Sequence, residues 1–350
     1  MEVGVRRLTV SFGPVTREIR SLVARRRELL TMLGSIFAGM GIFLENTLHG
    51  NLPASLRAFS GRIFEAYAVM LLFPSLILAL RLARLNAGMA FNGIYYARLM
   101  QEQKFTTAGD PAAAGRINFR GVSFLMFLLT DMIAGFSAAL LCLTVADSSA
   151  LAALVGSAVF SAWLFLYVRF HGQSVEHARR RLKEAAVESV TRGDWLGHMS
   201  GSLEDANHDM TAVVSLVGLI IFSALQSLSG LGGTSVPTDL PPDLLAKNAS
   251  TVYGALMTAT CLTGMVTYVR LRLAAGAFSL ALDPEDEPFR LLHVNDSLLG
   301  YALLAFLFAL SIHFLLSPWL GAAPLAGAVI AAFAGALACE QAAVAAASGK

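Results

Sequence analysis

This chain has few charged residues: 14% of its residues are Asp, Glu, Lys or Arg, against about 25% in an ordinary soluble domain. Hydrophobic residues make up 56%, and the mean hydropathy is +0.63. This little charge cannot cover the surface of a soluble protein of 350 residues, and a net charge of +2 offers no basic surface for nucleic acid. The composition therefore argues against a soluble enzyme, a disordered chain or a nucleic-acid-binding protein. It predicts an all-α polytopic integral membrane protein, with the lipid bilayer as its main partner.

The sequence also lacks the motifs of catalysis and of metal or cofactor binding. Its three cysteines (Cys142, Cys261 and Cys339) each lie alone in an apolar run, so no CxxC or Cys/His metal spacing exists. Walker A, HExxH, GxSxG and Asp-rich diphosphate-binding motifs are missing as well. We therefore expect no catalytic residues, no metal and no cofactor, and we expect the thiols to be free and buried.

Long hydrophobic runs are abundant. A membrane-spanning helix needs about 20 mostly apolar residues, and eight such runs are present. They cover residues 29–48, 64–85, 121–146, 149–170, 211–230, 250–271, 298–316 and 321–343. The first run follows a long basic lead and is too long for a signal peptide, so we expect it to remain in the mature protein.

The basic residues are distributed unequally between the two sides of the membrane. If the N-terminus is cytoplasmic, 23 of the 26 Lys and Arg residues lie inside, and only Arg57, Arg62 and Lys247 lie outside. The positive-inside rule then predicts that both termini are cytoplasmic. Arg outnumbers Lys 22 to 4, which is typical of a GC-rich genome, and we expect a bacterial cytoplasmic membrane.

The two halves of the chain resemble each other. The first and fifth runs align at an offset of 180, so that Thr31 matches Thr211 and Gly50 matches Gly230. Further matches, at offsets that change in the loops, join Arg84-Leu85 to Arg272-Leu273 and Phe119-Arg120 to Phe289-Arg290. Four helices is an even number, so the pattern predicts two parallel four-helix repeats.

This organisation divides the chain into four segments. Residues 1–28 are a basic amphipathic lead, in which Val15–Arg27 is expected to lie on the cytoplasmic headgroups. Residues 29–171 and 210–350 are the two membrane repeats. Residues 172–209 are a cytoplasmic helical extension and linker, and its basic cluster is either a solvated helix face or a site for anionic lipid headgroups. That cluster comprises Arg179, Arg180, Arg181 and Lys183.

Few polar side chains fall at membrane depth, where an ionised group is costly. Asp131 is the deepest acid, about ten residues into the third run, and is interpreted either as a cation or proton site or as a buried hydrogen-bonding partner. Glu45 and Asn46 lie near the outer end of the first run, and Gln226 matches Asn46 in the second repeat. His313 lies in the outer half of the seventh run, where packing is the simpler interpretation.

Small residues mark the faces where helices approach each other closely. Gly34, Ala38 and Gly41 share one face of the first run. In the eighth run, the repeated small residues predict a central helix or a subunit interface, either in a homo-oligomer or with other membrane subunits. These residues are Gly327, Ala331 and Gly335.

Three functions remain open on the sequence alone. The first is a transporter or channel that moves an ion or small solute between the two repeats. In that case Asp131, Glu45, Asn46 and Gln226 should face a shared hydrated cavity. The second is a non-catalytic scaffold or accessory subunit, with a protein contact on the eighth run or on residues 172–209. The third is a lipid-modifying enzyme with polar groups clustered at the cytoplasmic headgroups.

Overall fold

The computed structural model describes residues 9–48, 63–102, 122–146, 149–182, 186–187, 190–232, 242–282 and 299–313, with the single positions 315, 334 and 338. Within these ranges the chain forms seven helices and two short strands. The helices are α1 (Phe12–Leu48), α2 (Ile63–Glu102), α3 (Val122–Ala146), α4 (Ser149–Leu182), α5 (Arg192–Gly232), α6 (Pro242–Leu282) and α7 (Leu299–His313). The strands are β1 (Thr9–Val10) and β2 (Ala186–Val187).

The all-α class is confirmed, and four of the described helices are long and apolar enough to cross a membrane. Their apolar stretches are Glu65–Leu99, Val122–Ala139, Leu151–Leu182 and Gly193–Gln226. The eight-helix count, the repeats and the cytoplasmic termini stay predictions. Most of the eighth run lies outside the described residues, including Gly327, Ala331 and Gly335.

Several helices are longer than the apolar runs predicted. Helix α1 begins at Phe12 and α5 at Arg192, each well before its apolar run. At 1.5 Å per residue, the 37 residues of α1 extend about 55 Å, well beyond the roughly 30 Å of bilayer hydrocarbon. Thr191 caps α5, because its hydroxyl accepts a hydrogen bond from the amide of Asp194 at 3.2 Å. A cap at this position lets the polar segment join the apolar run in one helix.

Helices α1 and α5 run side by side in the same direction. Arg20 donates to the carbonyl of Gly197 at 2.9 Å, and farther along both helices Ser223 donates to the carbonyl of Phe37 at 2.6 Å. Small residues permit this approach. A Cβ on Gly41 would lie 2.9 Å from the Ser223 Cα, and one on Gly34 would lie 3.1 Å from Leu219. The parallel pair β1–β2 extends the same arrangement, with Thr9 opposite Ala186.

Helix α3 lies at the centre of the described bundle and α4 lies at its edge. Buried residues make up 67% of the most apolar 18 residues of α3 but only 17% of the most apolar 18 residues of α4. Helix α3 packs against α2 and α4 and also contacts α6 and α1. It meets α4 at Gly135 and Gly156, where a Cβ on either glycine would lie within 3.0 Å of the other's carbonyl oxygen. Helix α3 ends at Ala146 and α4 begins at Ser149.

The apolar side of the basic lead packs against other helices of the chain, and its position relative to the headgroups stays a prediction. Ile19, Val23 and Arg26 are almost fully buried, on the side of α1 that packs against α5 and α2. Trp195 and Met199 of α5 are buried with them. The amphipathic stripe of α1 thus faces protein, because the first turns of α5 supply a matching apolar face.

Candidate functional site

Asp131 is a fully buried acid on the central helix. Its side chain is 0% exposed, and neither carboxylate oxygen has a hydrogen-bond partner among the residues that the structure describes. Neighbouring polar residues are satisfied within their own helix: Thr130 donates to the carbonyl of Met126 at 2.9 Å and Ser137 to that of Ile133 at 2.8 Å. A buried carboxylate without donors is costly, so it needs a reason other than stability.

Other buried polar groups lie along α3 between Asp131 and the beginning of the helix. Ser123, Phe127 and Asp131 occupy successive turns, which spans about 12 Å at 1.5 Å per residue. At the middle level the Phe127 ring stacks on Tyr167, with centroids 4.5 Å apart, and the buried amide of Asn86 donates to the Tyr167 hydroxyl. The amide oxygen of Asn86 has no partner within the described part of the chain.

At the level of Ser123 a buried ion pair joins α1 to α5. Arg26 is 0% and Asp209 2% exposed, and the Arg26 guanidinium donates to both the Asp209 carboxylate and, at 3.0 Å, the Ser123 hydroxyl. Ser123 lies 3.0 Å from the sulfur of Met89. Side chains from α1, α2, α3 and α5 therefore meet at one point.

Arg27 continues this cluster towards solvent. It is 30% exposed and reaches Asp209 and Asp205 at 3.2 Å each. Partial burial lowers the pKa of Arg27, but the charges of Asp209 and Asp205 and their hydrogen bonds outweigh burial and raise it above its usual value. We call Arg26, Arg27, Asp205 and Asp209 the α1–α5 ion-pair cluster.

The ion-pair cluster was missed from the sequence. Arg26 and Arg27 were counted with the basic lead, as marks of the cytoplasmic side. The available signal was the i, i+4 spacing of Asp205 and Asp209, which puts two carboxylates on one face of a helix. Only the packing of α1 on α5 identifies their partners.

The other predicted polar residues belong to other helices than Asp131. Gln226 and His313 are partly buried, on α5 and α7. Glu45 and Asn46 belong to α1, but their side chains lie outside the described residues, as does Lys183. Within the described basic cluster, Arg179, Arg180 and Arg181 are exposed on the last turn of α4, where Arg180 pairs with Glu176.

A cavity of about 420 Å³ opens between α5, α6 and α7. Its lining includes none of the predicted polar residues named above. The residues that line it are Asn207, Met210, Thr211, Val214, Ser215, Tyr268, Arg272, Leu299, Gly300 and Leu303.

In the described ranges no group of three or more His, Cys, Asp and Glu side chains is placed to hold a metal ion. Cys261 is a buried free thiol and Cys142 a partly buried one, whereas Cys339 lies outside the described residues. No protein family model, curated protein or solved structure matches this chain.

Proposed function

We propose that the protein is a membrane transporter or channel-like protein that moves an ion or small solute, and that Asp131 binds a proton or cation on its way. The observation that carries the proposal is the Asp131 carboxylate, which is fully buried in an apolar helix and has no hydrogen-bond partner among the described residues. A carboxylate in such a place is retained for what it binds, because it costs stability.

The buried polar groups between the level of Asp131 and the beginning of α3 support a path towards Asp131. Asn86 has an unused acceptor, and the Tyr167 hydroxyl lies beside it at the level of Phe127. Together with Ser123 they give polar atoms at successive depths along α3. Proton and cation relays through membranes are built from such staggered groups.

The α1–α5 ion-pair cluster suits a closed cytoplasmic gate. By the charge distribution, Arg26 and Asp209 lie at the cytoplasmic ends of the first helices of the two predicted repeats. When α1 and α5 separate, the buried ion pair is replaced by two charges in water. The packed and the separated helices are then two distinct states, closed and open. We infer that alternating access opens this cluster.

The scaffold alternative is supported less. It needs a free protein-binding face on residues 172–209 or on the eighth run. In α5, Trp195, Met199, Ala206 and Asp209 are already buried within the chain, so this part of the linker is occupied. The end of α4, with Arg179 and Arg180 exposed, remains as a docking surface.

Reconstitution tests the transport proposal. The purified protein is placed in liposomes that contain a pH-sensitive or Na⁺-sensitive dye, and a potassium gradient with valinomycin imposes a membrane potential. We expect uptake above that of empty liposomes, and we expect Asp131→Asn, which keeps the side-chain size, to lower it about tenfold or more.

Ser137→Ala is the matched control, because Ser137 is a buried polar residue of the same helix that bonds only its own backbone. It should leave uptake unchanged. Wild-type protein that moves neither protons nor cations would contradict the proposal, and undiminished uptake by Asp131→Asn would remove Asp131 from the pathway.

A further inference from the structure

The cavity between α5, α6 and α7 combines one cationic end with an apolar body. Arg272 is the one charged side chain among its described lining residues, and Asn207 and Tyr268 line it as well. Met210, Val214, Leu299 and Leu303 supply apolar surface. This lining is complementary to an amphiphile with an anionic head and a hydrocarbon chain.

The depth of the cavity also fits a lipid. Asn207 and Arg272 flank the apolar runs 211–230 and 250–271 on the side that the charge distribution assigns to the cytoplasm. From Met210 to Phe222 is about 18 Å along α5, close to the thickness of one leaflet. In the predicted orientation, the guanidinium of Arg272 lies near the phosphate level of the inner leaflet.

Exposed apolar residues continue the cavity towards the membrane centre. On α5, Phe222 is 55% exposed, and Leu219, at the border with α1, is 39% exposed. On α7, Leu299, Leu303 and Phe306 share one face and are 44–65% exposed. Two apolar rows thus lead away from the charged end, as the acyl chains of a bound lipid require.

We propose that this cavity is a specific site for an anionic phospholipid of the cytoplasmic leaflet. The Arg272 guanidinium binds the lipid phosphate, with Asn207 and Tyr268 as further hydrogen-bonding groups, and the acyl chains lie along α5 and α7. Basic pockets between membrane helices on the cytoplasmic side recognise such headgroups. The site is separate from Asp131 and does not depend on transport.

Native mass spectrometry of the protein in detergent tests the site, with phosphatidylglycerol and phosphatidylcholine as probes. Phosphatidylglycerol should remain bound preferentially. Arg272→Gln should weaken its binding about fivefold, the effect of one cation near a lipid headgroup. Arg270→Gln is the matched control, because Arg270 is an exposed arginine of the same helix that does not line the cavity.

A second variant blocks the cavity without disturbing the core. Thr211 is exposed at the cavity edge, so Thr211→Trp should fill the space and reduce phosphatidylglycerol binding while the protein stays folded. Equal losses in Arg272→Gln and Arg270→Gln, equal binding of the two lipids, or undiminished binding to Thr211→Trp would each overturn the proposal. If inorganic phosphate bound as well as phosphatidylglycerol, the ligand would be a soluble anion, and the proposal would also be overturned.

Discussion

At the scale of single residues, burial of the Arg26–Asp209 pair costs desolvation free energy, and the pair joins α1 to α5 at one defined position. Both side chains leave water completely, and the pair is tolerated because Ser123 and Arg27 satisfy further atoms of the two groups. Removal of Asp209 takes from the buried Arg26 charge the carboxylate it is paired with, and removal of Arg26 leaves Asp209 with the half-buried Arg27, whereas removal of both leaves an apolar contact.

The variants Arg26→Gln and Asp209→Asn are therefore each expected to destabilise the protein by about 3–5 kcal/mol. The double variant Arg26→Met/Asp209→Leu should regain most of that loss. Arg27→Gln serves as the exposed comparison and should cost less than about 1 kcal/mol. Unfolding in detergent measures all four, and a double variant less stable than either single variant would contradict this assignment.

The burial of Asp131 could be anticipated from the sequence, whereas that of Arg26 could not. Asp131 stood out because few charges interrupt an apolar run, and the structure buries it. Arg26 did not stand out, because the positive-inside rule predicts an arginine just before an apolar run. Its burial depends on a helix 183 residues away, and no local pattern specifies that contact.

At the scale of elements, the parallel contact of α1 and α5 organises the bundle. Glycine makes it possible, since Gly41 lies directly against the Ser223 backbone. The sequence indicated a small-residue face on the first run, and Gly34 and Gly41 do form the contact. The partner helix could not be inferred, because small residues specify closeness without specifying the neighbour.

Gly41→Leu is expected to destabilise the protein by about 1–3 kcal/mol, because its side chain would force α1 away from α5. Gly39→Leu is the matched control on the same helix. A Cβ there meets nothing within 4 Å, so it should be neutral or slightly stabilising. Thermal unfolding in detergent compares them, and equal melting temperatures would argue against close packing at Gly41.

Element lengths were predicted less well than element positions. The apolar runs located α1 to α7, but polar extensions such as Phe12–Glu28 and Arg192–Met210 belong to the same helices. Hydropathy records only the part of a helix that suits the bilayer. The extensions are stabilised by their mutual packing, which is a tertiary effect.

At the scale of the whole molecule, the shortage of charge goes with many exposed apolar side chains on the described helices. Phe73 of α2, Leu154 and Phe165 of α4, and Phe222 of α5 are 55–65% exposed. In water such exposed apolar residues would promote aggregation, but in a bilayer they contact lipid. The contacts between α1 and α5 join residues 177 to 186 positions apart, as two parallel helices that begin at Phe12 and Arg192 require, and the duplication stays a prediction.

The predicted orientation has a direct test in a variant whose native cysteines are replaced by alanine. A cysteine introduced at Arg57, on the predicted outer side, should react with a membrane-impermeant maleimide in intact cells. One introduced at His177, exposed on the C-terminal part of α4, should react only after the membrane is opened. The reverse pattern would place the termini outside.

The most direct test of the central claim measures stability and uptake together in Asp131→Asn. A carboxylate kept for function costs stability, so its neutral isostere should melt at the same or a higher temperature while proton or cation uptake falls about tenfold or more. A structural carboxylate would give the opposite result, a lower melting temperature with the uptake of the remaining folded protein unchanged.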